Sequence, residues 1–566
     1  MDTDYSYPRP QMKREHYLLL HGEWKLNNNI INVPFPPQSA ASGYVGEVND
    51  TLLYEKRFSV PPEFTLPRFL LHFGAVDQVA EVWLNGHFLG GHKGGYLPFS
   101  FDVTGILLTG AENVLKVKAT DTLSVDLPYG KQRKKRGGMW YTPVSGIWGC
   151  VWLENVPLSY IRRLSITPDL TGLDVEVELS EGGEVGFSAE IWIDPQKKHS
   201  LKVKFNENKA RINFIDLIAG SFHEDFKSTD ALFWTPENPR LFPMEIRTKE
   251  DRVETYFALR TIEICPVDGV ERVCLNGKPI FLHGLLDQGY FPDGIYRPTD
   301  LREYERDVLR AKDLGFNCIR KHIKIEPEQF YYACDLHGIL VIQDMVNSGV
   351  YSFFCDTFLP NFIFWMKSDK KHPELDLHRK KFFIEHMLET MEVLHNHPSI
   401  IAYTIFNEGW GQFDSDRLYG IAKEKDPTRL IDSTSGWFAQ KLSDFDSKHI
   451  YFHIVRLKPR KRPLLLSECG GYSMEVEGHL FKHSKGHFGY GRCHDRDELT
   501  DAMMHLYDQM VLPAIRNGLC GCIYTQLTDV EEEVNGIYTY DRKVLKPDRG
   551  RLRALARRIG HAMENC

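Results

Sequence analysis

Short runs in which apolar and polar residues alternate fill the first ~260 positions, and this period of two predicts β-strands. Residues 69–73, 80–84, 113–119, 173–179 and 186–193 are of this kind, with turn-forming Asn85-Gly86 and Gly94-Gly95 between them. A single sandwich holds fewer strands than this, so two β-sandwiches are expected, meeting near residues 156–161. Beyond about residue 265 the pattern becomes strand followed by amphipathic helix. Strands are predicted at 279–282, 317–321, 339–344, 401–406, 430–433, 450–452, 464–467 and 521–526. Helices at 301–314, 327–337, 379–395, 416–425 and 498–516 separate them. Eight strands alternating with helices over about 300 residues predict a (β/α)8 barrel. An open doubly wound sheet would need a Gly-rich phosphate loop after its first strand, and His283-Gly284-Leu285 is not one.

Catalytic groups of such barrels sit at the C-terminal ends of the strands. Those ends read His283, then Arg320 with Lys321 and His322, Asp344, Asn407 with Glu408, Ser433 to Ser435, His453, Glu468 and Gln526. Each is a polar residue directly after an apolar run. Two are carboxylates, Glu408 after strand four and Glu468 after strand seven, on opposite sides of the barrel mouth. Glycosidic bond cleavage needs such a pair, one to protonate the leaving oxygen and one to attack. A retaining enzyme holds the two carboxyl groups about 5–5.5 Å apart. Asn407 is suited to donate a hydrogen bond to a sugar 2-hydroxyl. Lys321, His322 and Asp344 are candidates to grip sugar hydroxyls. His453 is a candidate to keep Glu468 ionised, and Trp410 and Trp437 either stack on a sugar face or pack loops. Gln526 stands at the last strand end without an assigned role.

Composition narrows the partners. The formal charge of −8 gives no general reason to expect nucleic acid. The basic runs at 131–136 and 458–462 and the acidic run Glu531-Glu532-Glu533 are read as solvated, although 458–462 lies just before strand seven and leaves an acidic glycan as an alternative. No segment approaches the roughly 18 apolar residues of a membrane span. The N-terminus lacks a cationic segment followed by an apolar one, so no secretory signal is expected. The 11 cysteines show neither a disulfide framework nor a zinc spacing, and reduced, buried thiols in a cytoplasmic protein are expected.

The stretch from His397-Pro398-Ser399-Ile400-Ile401 to Phe406-Asn407-Glu408-Gly409-Trp410-Gly411-Gln412 resembles the acid/base signature of glycoside hydrolase family 2. Leu464-Leu465-Leu466-Ser467-Glu468-Cys469-Gly470-Gly471-Tyr472 resembles its nucleophile segment. Phe73-Gly74-Ala75-Val76-Asp77, Val82-Trp83-Leu84-Asn85-Gly86 and Ser145-Gly146-Ile147-Trp148 resemble its N-terminal jelly-roll domain. Trp234-Thr235-Pro236-Glu237-Asn238-Pro239 and Phe257-Ala258-Leu259-Arg260 resemble the end of its immunoglobulin-like domain. The resemblance implies a jelly-roll sandwich over 1–157, an immunoglobulin-like sandwich over 158–264 and the catalytic barrel over 265–566. It implies that Glu468 is the nucleophile, Glu408 the acid/base, and Arg320 the arginine that orients the nucleophile. The family's β-glucuronidases bind the sugar carboxylate with an Asn and a Lys two residues on, just before a Gly-aromatic-Thr stretch. Here Glu533 and Asn535 hold those places, and a glutamate repels a uronate.

The expectation is a retaining exo-β-glycosidase acting on an oligosaccharide or glycoside, β-galactosidase-like first, with no metal or organic cofactor. A glucuronidase, galacturonidase, mannosidase or arabinosidase of the same family remains an alternative. So do a transglycosylase and a carbohydrate-binding protein without turnover. Self-association is left open.

Overall fold

The computed structural model describes residues 5–564 apart from 183–185, 194–198, 222–228, 353–355, 357–368, 370–375, 452, 459–460 and 482–485. Phe452 and Arg460, within two of the expected segments, lie outside the described residues.

The first layer pair is antiparallel. A six-stranded sheet (Asn29–Val33, Gly22–Leu26, Thr51–Phe58, Asn113–Thr120, Val79–Leu84, His87–Lys93) faces a four-stranded one (Tyr17–Leu19, Val151–Val156, Arg68–Phe73, Phe99–Asp102). Alternate side chains point inward, and Trp24, Tyr54, Val82, Leu115, Val117, Leu71 and Leu153 form the shared core. A second pair follows, three strands (Ile161–Pro168, Leu173–Leu179, Lys209–Ile212) against four (Ser200–Lys204, Ser188–Trp192, Phe242–Arg247, Arg252–Phe257). Its core holds Val175, Val177, Ile191, Phe242 and Phe257. Two sandwiches therefore precede the barrel.

The barrel strands are β1 Leu282–Asp287, β2 Cys318–Lys321, β3 Leu340–Asp344, β4 Ile400–Asn407, β5 Leu430–Ser435, β6 Asp446–Ile450, β7 Leu464–Gly470 and β8 Leu519–Thr525. They pair in parallel in the order β5-β4-β3-β2-β1-β8-β7-β6, which leaves β5 and β6 as the two free edges. Ser447 of β6 donates to Asp432 Oδ2 of β5 across that gap, so the barrel is nearly closed. Most barrel strand residues are buried, as parallel strands covered on both faces must be.

Two strand positions differ from the sequence reading. β1 runs to Asp287, so His283 lies inside the strand, where Nε2 meets Tyr507 Oη at 3.1 Å and its ring meets Phe316. β6 ends at Ile450, earlier than expected, because its residues Asp446, Ser447, Lys448 and His449 give no apolar run to mark it. A terminal helix, Arg549–Glu564, was not anticipated; it buries Leu552, Leu555 and Ile559 at helical spacing. Cys265 and Cys274 are disulfide-bonded across the hairpin of Ile262–Val267 and Val270–Leu275, against the expectation of reduced thiols. The free cysteines Cys150, Cys318, Cys334, Cys469, Cys493, Cys520 and Cys522 are buried as expected. Among the described residues no helix is long and apolar enough to cross a membrane.

Buried polar groups join the layers. Glu154 accepts from Tyr7 Oη at 2.7 Å, Trp152 Nε1 at 2.9 Å, Arg9 Nη2 at 2.7 Å and Arg14 Nη1 at 3.2 Å. Arg14 also donates to Asp251 of the second sandwich at 2.7 Å. Gln329 of the barrel donates to the carbonyl of Tyr7 at 3.2 Å, so the N-terminal strap touches all three layers. Arg260 donates to the carbonyls of Pro398 and Ile400 at the base of β4. Burial alone would raise the Glu154 pKa, but Arg9, His72 and Arg14 outweigh it and hold the carboxyl well below its ordinary range. A depressed carboxyl stabilises the fold above its ordinary range and loses that contribution as pH falls. Glu154→Gln, which leaves Arg9 without a carboxylate partner, is expected to cost about 3 kcal/mol. Urea unfolding of both proteins at pH 7 and pH 4 measures it, and the difference between them shrinks at the lower pH.

Candidate active site

Strand geometry brings the polar ends of β2, β3, β4, β6 and β7 to one place. Glu408 follows β4 and is 8% exposed; Glu468 lies in β7 and is 5% exposed. The chain leaves β4 through two left-handed residues, Glu408 at φ 53° and Gly409 at φ 70°, while Glu408 N–H donates to Ser435 O at 2.9 Å. A non-glycine residue in that region is strained, and here it is the residue whose carboxylate meets His449.

Polar atoms of Glu408, His449 and Glu468 all lie within 4.8 Å of one another. His449 Nδ1 is 2.8 Å from Glu408 Oε1, and Nε2 is 3.6 Å from Glu468 Oε1. Tyr451 Oη donates to Glu468 Oε2. Arg320 is 0% exposed and spreads its donors over its neighbours. Nη1 reaches Glu468 Oε1 at 3.0 Å and Ser467 O at 2.9 Å, Nη2 reaches Asn407 Oδ1 at 2.7 Å, and Nε reaches Asp344 Oδ1 at 3.0 Å. Burial acts to raise the Glu468 pKa, but the charges of His449, Arg320 and His322 and the Tyr451 hydrogen bond lower it to about 2. Glu468 is therefore a carboxylate at any working pH, which is the state a nucleophile needs.

The remaining expected residues divide. Asn407 is at the centre, bound to Arg320. Asp344 Oδ2 meets His322 Nδ1 at 2.7 Å while both its oxygens face Arg320, so Asp344 orients that pair from beneath. Trp437 is half-buried, with its ring centroid 5.6 Å from that of His449 and its Nε1 donating to Asp356 O. Gln526 is buried and donates to Asn535 Oδ1 at 2.8 Å, bracing the turn after β8. Lys321 points away, into ion pairs with Asp287 and Glu326. Trp410 packs loops, with Tyr129, Trp140 and Tyr351 against its ring. His453 is exposed, past the end of β6, and the ring beside Glu468 is His449. The expected strand, 450–452, starts four residues after the observed Asp446–Ile450 and ends two after it, so His449 fell outside it and Tyr451 within it rather than at its end.

The acidic run expected in solvent is buried. Glu533 accepts from Tyr141 Oη and from Asn535 Nδ2, and Glu531 accepts from Thr142 N–H at 3.0 Å. Burial raises the Glu533 pKa, against the Tyr141 hydrogen bond and the Lys131 charge, while the Glu468 charge adds to the rise. The loop of the first sandwich carrying Lys131, Trp140 and Tyr141 thus forms one wall of the barrel mouth. The first basic run is correspondingly half internal: Lys131 is buried, and Lys134 and Lys135 are exposed.

Comparison with known proteins agrees with this architecture. Residues 267–460 match the family model "Glycosyl hydrolases family 2, TIM barrel domain", and residues 26–148 match "Glycosyl hydrolase 2 galactose-binding domain-like". A β-galactosidase of Pseudoalteromonas haloplanktis is 24% identical over 423 residues, 72% of this chain and 36% of that protein. One of Thermoanaerobacterium thermosulfurigenes is 26% identical over 377 residues, 63% of this chain and 47% of that protein. The matches thus span less than half the length of these two relatives. Among solved structures, a β-D-glucuronidase from Dictyoglomus thermophilum superposes with TM-score 0.73 at 19% identity, covering 98% of each chain. A family 2 β-galacturonidase from Eisenbergiella tayi superposes with TM-score 0.70 at 19% identity, covering 97% of this chain and 99% of that one. With the motifs around Glu408 and Glu468 on the C-terminal ends of a parallel barrel and both family models matched in order, this chain belongs to glycoside hydrolase family 2.

Proposed function

We propose that this protein is a retaining exo-β-glycosidase that removes a terminal neutral sugar, galactose first, from an oligosaccharide or glycoside. The observation that carries the reading is the spacing of the two carboxylates. An oxygen of Glu408 and an oxygen of Glu468 lie within 4.8 Å. Double displacement uses carboxyl groups about 5–5.5 Å apart, whereas inversion needs about 6.5–9.5 Å to admit a water.

In this mechanism Glu468, ionised and fixed by Arg320 and Tyr451, attacks the anomeric carbon while Glu408 protonates the departing oxygen. A covalent glycosyl-enzyme forms, and Glu408 then takes the proton of the water that resolves it. Asn407, held by Arg320, presents its amide toward the 2-hydroxyl. His322 lies where it can meet a hydroxyl of the same sugar, oriented by Asp344. The wall built by Lys131, Trp140, Tyr141 and Glu533 narrows one side of the mouth and suits cleavage at a chain end.

Buried Glu533, close enough to Glu468 for their charges to interact, supports a neutral sugar. A uronate would add a third negative charge to this region. The β-galactosidase names of the curated relatives point the same way.

Aryl glycosides of galactose, glucose, mannose, arabinose and both uronic acids test the reading. One neutral sugar is expected to be released, with the β-anomer appearing first by NMR. Glu468→Gln is expected to lose at least about three orders of magnitude in kcat. An α-anomer as first product, or a fully active Glu468→Gln, overturns the mechanism. For specificity, Glu533→Gln is expected to raise the ratio of uronide to galactoside kcat/KM by about tenfold, the effect of ~1.4 kcal/mol of relieved repulsion. An unchanged ratio removes Glu533 from sugar selection.

A further inference from the structure

His449 stands between the two carboxylates with its side chain fully enclosed. Gly436, at φ 94°, leaves the room for it, because a Cβ there would lie 3.0 Å from Nδ1. The ring is therefore held in one place.

A chain of hydroxyls fixes its tautomer. Ser467 Oγ donates to Lys448 O at 3.4 Å, and Ser435 Oγ donates to Ser467 Oγ at 2.8 Å. Each hydroxyl has one proton to give. Ser435 Oγ is thus left as the acceptor for His449 Nε2–H at 3.0 Å. With Nε2 protonated, the 2.8 Å contact between Nδ1 and Glu408 Oε1 holds one proton, on the carboxyl or on the ring. The other charged groups facing this pair are Glu468 on β7, Asp432 on β5 and, behind Glu468, Arg320 on β2.

We propose that Glu408 and His449 act as one proton-holding unit, in which the proton destined for the leaving oxygen is shared with His449 Nδ1. His449 is then a positioning residue for the acid/base. This inference rests on the glycosidase reading above. In the first step Glu468 bonds to the anomeric carbon, the bond from that carbon to the leaving oxygen breaks, and the unit's proton goes to that oxygen. The Glu468 charge is consumed in the ester, so the anion nearest Nε2 disappears. Glu408 is left as a carboxylate facing the Nδ1 lone pair, an arrangement that demands a proton. In the second step water supplies it: water oxygen bonds to the anomeric carbon, the bond to Glu468 breaks, and the water proton returns to the unit. The nucleophile regains its charge as the unit regains its proton.

The test compares wild type with His449→Asn on a nitrophenyl and an alkyl glycoside of the same sugar across pH. The alkaline limb of kcat/KM is expected to move at least about one unit lower in the variant, because the proton loses its second site. The alkyl glycoside, whose leaving group needs the acid, is expected to lose about 100-fold more than the nitrophenyl one. Equal losses with an unmoved limb overturn the proposal. A second measurement does not need turnover. In the full chain with ¹⁵N-labelled histidine, the His449 ring signal, identified by its loss in His449→Asn, is titrated in wild type and Glu408→Gln. Its midpoint is expected at least about one unit lower in Glu408→Gln, and equal midpoints overturn the shared proton even if no glycoside is cleaved. Failure of the glycoside panel with a shifted NMR midpoint would sink the glycosidase reading and leave the shared proton standing.

Discussion

A single guanidinium organises this barrel mouth. Arg320 is wholly buried, and a buried cation persists only where its donors are met and its charge is balanced. It meets both conditions by drawing β3, β4 and β7 toward β2. Asp344 and Glu468 supply the charge, and Asn407 and the Ser467 carbonyl supply the further acceptors. Burial would lower its pKa, yet Asp344 and Glu468 hold it above its ordinary value. The planar fork of Arg sets several directions at once, which a lysine ammonium cannot do. The orientation of Asn407 depends on this side chain, which together with His449 and Tyr451 also keeps Glu468 ionised.

The two glutamates differ because their surroundings differ. Glu468 sits within a strand between Arg320, Tyr451 and His449, groups that stabilise its anion. Glu408 stands just past its strand in a left-handed conformation, turned toward His449 and away from Arg320's donors. One carboxyl is thereby kept as an anion while the other faces a group able to exchange a proton with it. That asymmetry is what a double displacement requires of two identical side chains.

The mouth is a joint product of the layers. Tyr129 of the first sandwich donates to Gly349 O, and Tyr141 and Thr142 donate to the carboxylates of Glu533 and Glu531 after β8. Burial pushes the Glu531 pKa up to about 7, so this seam carries less negative charge than its sequence suggests. Sandwich and barrel thus share one set of buried hydrogen bonds, and the wall of the site is as fixed as the seam itself.

Hydrophobic period alone revealed two sandwiches followed by eight parallel strands, because burial on one face or both leaves a direct mark on residue order. The same pattern placed Glu408 and Glu468 at strand ends, since each directly follows a long apolar run, and resemblance to family 2 segments named their chemistry. Strand six was misplaced for the converse reason. Asp446, Ser447, Lys448 and His449 are polar yet lie in the barrel wall, where Ser447 and His449 find partners on β5 and at the end of β4 that are remote in sequence. That error put His453 where His449 belongs and left Tyr451 unnoticed. The glutamate run after β8 was read as solvated because composition reports charge but not the partner that neutralises it. A buried polar group is tolerated only when its partners are in place, and those partners come from distant segments. The sequence by itself determined most of the strands and helices, strand six and the helix Arg549–Glu564 apart, and the two carboxylates near the ends of strands four and seven. Only the tertiary structure decided which polar side chains meet, because that depends on hydrogen bonds closed between segments hundreds of residues apart.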